Sequence, residues 1–222
     1  MPSRSQVDAV FFDFDGVIVD SVPLKKEAFR SVLVDCAGDR IDTCMNYFMQ
    51  NGGVSRLTKF NHVWTAILGN PPDVDATNRL ASAFATRVFS LTCQSTYVRG
   101  AKEFLDTYAS EVPCFVISGT PEEELRNIVK TRKMEGYFRG VYGSPANKVE
   151  IGHQILKKTG LDQMNIWFVG DATTDRDAAR ELSVNFVGVD GPHLRPYLDG
   201  TETMIKDLTE LSEVLFGQTV TP

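Results

Sequence analysis

A few residues of this chain have the types and the spacing for chemistry on a negatively charged group. Asp13 and Asp15, in Asp13-Phe14-Asp15-Gly16-Val17, follow directly on an apolar run. Asp171 closes a second run, in Trp-Phe-Val-Gly-Asp, and Asp175 stands four residues later. Ser118 and Gly119 end a third, and Lys148 lies in Ser-Pro-Ala-Asn-Lys-Val-Glu ahead of a helical pattern. Carboxylates brought together repel one another unless a cation lies among them, and hard oxygen donors in a partly open set suit Mg²⁺. A hydroxyl and exposed backbone N–H groups just before a helix make an anion site, to which a lysine could add charge. Plainer readings stand beside these. Asp and Gly after a strand often form a turn. Thr174 or Asp175 could cap the next helix and complement its dipole, Ser118 could be an N-cap, and a single lysine is usually a surface residue.

These residues need elements to position them. The runs at 9–14, 113–118, 165–170 and 185–189 are aromatic and β-branched without clean alternation, the pattern of strands buried on both faces of a parallel sheet. Helical patterns at 122–134, 149–160 and 174–183 alternate with them. That order predicts a doubly wound, Rossmann-like α/β domain. Open sheets of this kind place ligands at the carboxyl ends of their strands, where Asp13 and Asp171 fall. Residues 21–92 break the rhythm: they carry amphipathic patterns at 24–36 and 56–68 but no β run, which predicts a helical insertion after the first strand. Thr120, Pro121 and Glu123 fit an N-cap, an N1 proline and the acidic partner of a capping box, so a helix is expected to start at Thr120, leaving Ser118 free of that duty. Residues 206–216 read as a last amphipathic helix and 217–222 as a frayed tail.

The 222 residues suffice for one core and an inserted lobe. Apolar residues at 42% and charged ones at 23% are ordinary globular usage. A formal charge of −6 leaves no basic patch able to neutralise many phosphates, which argues against nucleic acid as a partner. Cys36, Cys44, Cys93 and Cys114 form no CxxC pair and are expected as free thiols in a reducing cytoplasm. The first apolar segment is too short for a signal-peptide core or a membrane span.

In its order, the set DFDGV, a Ser closing the next major strand, a Lys and then GDxxxD resembles the four motifs of the haloacid dehalogenase superfamily over residues 8–190. Within it, DFDGVIVDS, YVRGAKEFL, VISGT and VGDATTDRDAA are most similar to the phosphoglycolate phosphatase and β-phosphoglucomutase branch. The resemblance implies a Mg²⁺-dependent phosphatase acting on a small phosphorylated metabolite. It implies Asp13 as nucleophile, Asp15 as general acid and base, and Ser118, Gly119 and Lys148 as phosphate ligands. The metal would be held by Asp13, the Asp15 backbone carbonyl and Asp171, with Asp175 nearby. Residues 1–20 and 93–222 would form the core and 21–92 the family's helical cap. Two departures stand out: Val149 rather than proline follows Lys148, and Ala172 follows the Gly-Asp pair.

The acid role requires Asp15 to hold a proton part of the time near neutral pH, against an ordinary value of ~3.9. Burial under a closed cap is expected to raise it. Asp15 argues against a dehalogenase, whose leaving halide needs no proton. A phosphomutase of the β-phosphoglucomutase type is the main alternative. That pattern has a cap histidine where Lys25 stands, which favours hydrolysis. A phospho-aspartate switch fits less well, because receivers place the phosphoacceptor on a later strand. In the insertion, Gly-Gly-Val-Ser-Arg at 52–56 resembles the cap segment whose arginine faces substrate, so Arg56 is the expected substrate-binding residue, with a solvated helix-start arginine as the plain alternative.

Overall fold

A computed structural model describes residues 7–217, so the expectation of a frayed tail falls, but for Gly217, outside the described residues. Six strands, β1 (Ala9–Phe12), β2 (Cys114–Pro121), β3 (Gly140–Ser144), β4 (Ile166–Gly170), β5 (Asn185–Val189) and β6 (Thr203–Ile205), form one sheet in the order β3-β2-β1-β4-β5-β6. Every neighbouring pair is parallel. All of β1 is buried, and its side chains alternate between two cores. Phe11 meets Phe115 and Phe168 edge-on at 5.7 and 6.2 Å on one face, while Phe12 meets Phe104 at 5.9 Å on the other. Burial on both faces is why the sequence shows continuous apolar runs instead of alternation. β3, with glycines at both Gly140 and Gly143, and the three-residue β6 carry too little of that signal to be seen beforehand.

Between β1 and β2 the chain first forms helices α1 (Val22–Ala37), α2 (Ile41–Gln50), α3 (Arg56–His62) and α4 (Val74–Gln94), α3 running on as a π-helical turn over Val63–Ile67. They pack on an apolar cluster of their own, separate from the two sheet cores. At its centre Phe29 stacks on Phe60 at 4.9 Å and meets Phe48 and Phe84 at 4.6 and 6.0 Å. The two chain crossings to this helical lobe are tied together: the Asp20 N–H donates to the Thr96 carbonyl at 2.9 Å and the Val98 N–H to that of Ile18 at 3.1 Å. Helices α5 (Ala101–Tyr108), α6 (Glu122–Thr131), α7 (Lys148–Thr159), α8 (Thr173–Leu182) and α9 (Leu211–Phe216) complete the fold. α5, α6 and α9 cover the Phe12 face of the sheet, and α7 and α8 the Phe11 face.

Two helix starts differ from expectation. α6 begins at Glu122, not Thr120, because β2 continues as far as Pro121, which pairs with Ser144. No side chain caps α6, and the Thr120 hydroxyl is used elsewhere; Glu122, Glu123 and Glu124 complement the helix dipole instead. The last helix is only α9, preceded by a 3₁₀ turn over Leu208–Glu210. Asp207 accepts the Thr209 N–H at 3.0 Å, a local turn that competes with helix at the start of the apolar pattern. No helix among the described residues is long and apolar enough to cross a membrane.

Candidate active site

Phe12 stands in register with Val116 of β2 and Val169 of β4, so the residues that follow each strand emerge at one edge. This is the point where the strand order turns back, between β1 and β4, and crevices open there in doubly wound sheets. Asp13 is fixed by its own N–H, which donates to the Val169 carbonyl at 2.9 Å. The carboxylates of Asp13, Asp171 and Asp175 are all buried, each offering an oxygen within 4.8 Å of the others. Gly16, in the left-handed region at φ +85°, makes the tight turn beside them; a Cβ there would lie 2.3 Å from Asp171 Oδ2.

Lys148 is the first residue of α7, which Asn147 and Glu150 start with a full capping box. Its ammonium is 2.5 Å from Asp175 Oδ1 and 3.1 Å from Asp13 Oδ1. The other oxygen of Asp175 accepts the Ala172 N–H at 3.1 Å, so this carboxylate closes the first turn of α8 and orients Lys148 at once. The helix-cap reading and the place in the acidic cluster therefore hold together.

Three buried carboxylates share one ammonium. Burial, only partly offset by Lys148, pushes Asp13 up to about 7. Burial and the repulsion of Asp13 and Asp175 push Asp171 well above its ordinary range, and burial raises Asp175 too. Lys148 reaches Asp13 Oδ1 at ion-pair distance without the alignment of a hydrogen bond, leaving that buried oxygen without a donor. Among the described residues Asp171 has no ion pair. An all-oxygen set with surplus negative charge and an unsatisfied buried oxygen fits a hard divalent cation such as Mg²⁺.

Asp15 behaves opposite to the expectation that its pKa is raised. Burial does push it up, but Lys25 Nζ at 2.5 Å, Ser21 Oγ donating at 2.5 Å and Thr120 Oγ1 donating at 3.1 Å outweigh burial and hold it below its ordinary value. The ammonium of Lys25, on α1, counters the burial that the lobe imposes on Asp15. Ser118, 2% exposed, accepts the Thr120 N–H at 3.1 Å and sits with Gly119 across from Asp13.

The helical lobe and this edge together line a cavity of about 80 Å³. The closing contact is backbone on backbone: a Cβ on Gly119 would lie 2.1 Å from the Gly53 carbonyl oxygen, and Gly53 itself has φ +74°. Thr174 Oγ1 donates to the Gly52 carbonyl at 3.1 Å, and His193 Nδ1 donates to that of Met49 at 2.5 Å. Arg56 lines the cavity, but its guanidinium is engaged by Glu124 of α6 at 2.6 Å and lies over the Phe84 ring. Sequence reasoning missed Lys59 and His193, which also line the cavity. Lys59 lies three residues after Arg56, on the same face of α3, a spacing that could have found it; for His193, in the loop after β5, the sequence held no signal.

Comparison with known proteins bears on this arrangement. No curated protein sequence matches the chain. Solved structures match its fold at low identity. A predicted phosphoglycolate phosphatase from Haemophilus somnus is 18% identical over 94% of this chain and 98% of its own, with a TM-score of 0.72. CbbY from Rhodobacter sphaeroides, solved with phosphate, is 13% identical over 92% and 96%, with a TM-score of 0.73. The HAD-hydrolase YfnB from Bacillus subtilis, solved with magnesium, is 14% identical over 95% and 99%, with a TM-score of 0.71. The family model for haloacid dehalogenase-like hydrolases matches residues 10–189, from the first strand to the fifth, and the chain belongs to that family.

Proposed function

We propose that the protein is a Mg²⁺-dependent phosphatase that hydrolyses a small phosphate ester through Asp13, with the helical lobe as its cap. The observation that carries this reading is the convergence of Asp13, Asp15, Ser118 and Asp171 on one small cavity, with the Lys148 ammonium 3.1 Å from Asp13 Oδ1. Asp13 would attack phosphorus in line, forming an aspartyl phosphate as the bond to the leaving oxygen breaks. Lys148 and the N–H groups after Ser118 would stabilise charge spreading over the equatorial oxygens. Asp13, the Asp15 carbonyl and Asp171, with Asp175 beside them, would hold a Mg²⁺ ion, which would supply the charge that offsets repulsion between carboxylate and phosphate dianion.

Asp15 would give the leaving alkoxide its proton and then take one from the water that cleaves the acyl phosphate. The resting site favours the second of these, since Lys25, Ser21 and Thr120 hold Asp15 ionised. The first follows if bound phosphate draws the Lys25 ammonium from Asp15 to itself, returning burial to control of the carboxyl group. The test is release of inorganic phosphate from a panel of small phosphate esters, with Mg²⁺ and with chelator. Turnover only with Mg²⁺, and acid-stable-protein-bound phosphate lost on hydroxylamine treatment, are expected. Turnover undiminished by chelator, or no acyl phosphate under rapid quench, would overturn the reading.

A further inference from the structure

Among the described residues, the lysines and the arginine around the cavity are paired with carboxylates, with one exception. Lys25 is held by Asp15, Lys148 by Asp13 and Asp175, and Arg56 by Glu124. Lys59 is 8% exposed, and among the described residues its ammonium has neither an ion pair nor a hydrogen bond. Its Nζ lies over the face of Phe48, 4.5 Å from the ring centre. A buried cation left unpaired is costly. Burial chiefly, then repulsion from Lys25, lowers the Lys59 pKa to about 7.

Such a cost is recovered when an anion arrives. In the phosphatase reading the phosphoryl group has its own partners on the core side, in Lys148 and the Ser118–Gly119 segment, while Lys59 lines the cavity from the lobe side with Phe29, Phe48 and Phe84. At about 80 Å³ the cavity is small, which favours a short substrate over a long one.

Resting on the phosphatase reading, we propose that Lys59, and not Arg56, determines specificity by binding a carboxylate at the far end of the substrate, so that the substrate class is short phosphorylated hydroxy acids rather than phosphorylated neutral sugars. Arg56 is spent on Glu124 and joins lobe to core. The Lys59–Phe48 contact supplies the dry environment in which an ammonium–carboxylate pair is strong.

Two probes of nearly equal size separate the outcomes: 2-phosphoglycolate, and 2-hydroxyethyl phosphate, in which a neutral hydroxymethyl group replaces the carboxylate. Binding is measured by calorimetry with Mg²⁺ in Asp13→Asn protein, so the result does not depend on turnover, while phosphate release from wild-type protein tests the phosphatase reading separately. The carboxylate probe is expected to bind at least about tenfold more tightly, the scale of one hydrogen bond to a charged group. Adding Lys59→Met should bring that ratio near one by weakening phosphoglycolate alone, and Lys59→Arg should retain part of it. A ratio near one before substitution, a ratio unchanged by Lys59→Met, or equal weakening of both probes would overturn the proposal.

Discussion

The sheet edge and the helical lobe face the same cavity with different chemistry. On the sheet side, charges are crowded and fixed: Asp13 and Asp171 ride on strand ends, and Lys148 and Asp175 on the first turns of α7 and α8, bonded to one another. On the lobe side Phe29, Phe48 and Phe84 line the wall beside Lys25, Arg56 and Lys59, the last an ammonium that has no anion among the described residues. A parallel sheet holds strand ends to fractions of an ångström, which in-line chemistry needs. Helices packed on exchangeable aromatic contacts can alter what they recognise without disturbing that geometry.

Asp13→Asn should break the sheet side most. We expect phosphate release to fall by more than about a thousandfold, measured under saturating Mg²⁺. The same variant should not lose stability without metal. Asp13 has a folded-state pKa raised from 3.8 to about 7, so the native state binds its proton more tightly than the unfolded chain does. Its contribution to stability thus falls as pH rises through that window. In chelator, Asp13→Asn is expected to melt at or above the wild-type temperature at pH 7 to 8, with the difference closing near pH 4. A variant that melts well below wild type at pH 8 would contradict the crowding argument.

Lys25→Met probes the seam between the two sides at an intermediate level. Without the ammonium at 2.5 Å, burial should raise the Asp15 pKa. The alkaline limb of the kcat profile then moves to higher pH, and turnover at neutral pH changes severalfold. An unmoved limb would show that Asp15 does not govern it. Stability has its own sign: the depressed pKa contributes above the unfolded value and is lost as pH falls, so Lys25→Met removes stability at neutral pH and little in acid.

The smallest expected effect is that of Asn147→Ala, which removes the cap of α7 without touching the cavity. It should cost about 1 kcal/mol in denaturant unfolding and leave kcat nearly unchanged. A large loss of kcat would mean that the capping box, and not the Asp175 contact alone, positions Lys148.

What was legible in the sequence follows the same division. Asp13, Asp171 and Ser118 could be placed because a strand buried on both faces leaves an unmistakable run, and the residue after the run marks the sheet edge. Their approach to Lys148 could be anticipated from motif order. The ionisation of Asp15 could not, since it depends on Lys25, Ser21 and Thr120 reaching it from three segments. Thr120 shows the conflict directly: its local pattern of Thr, Pro and Glu favours a helix start, while β2 pairing and the bond to Asp15 require extended chain there. Lys59 is fainter in the sequence: one lysine in an amphipathic helix is ordinary, and only its spacing from Arg56 marks the face it shares.

The glycine contact between Gly53 and Gly119 fixes how far the lobe can descend. Because backbone meets backbone, the stop is reached at one height whatever lies beneath, and the gap under it acts as a length gauge. A molecule that fits below it would leave that contact intact; a longer one would have to part it. A methyl group at Gly119 would act as a shim, raising the gauge and trading selectivity against length for leakage of water.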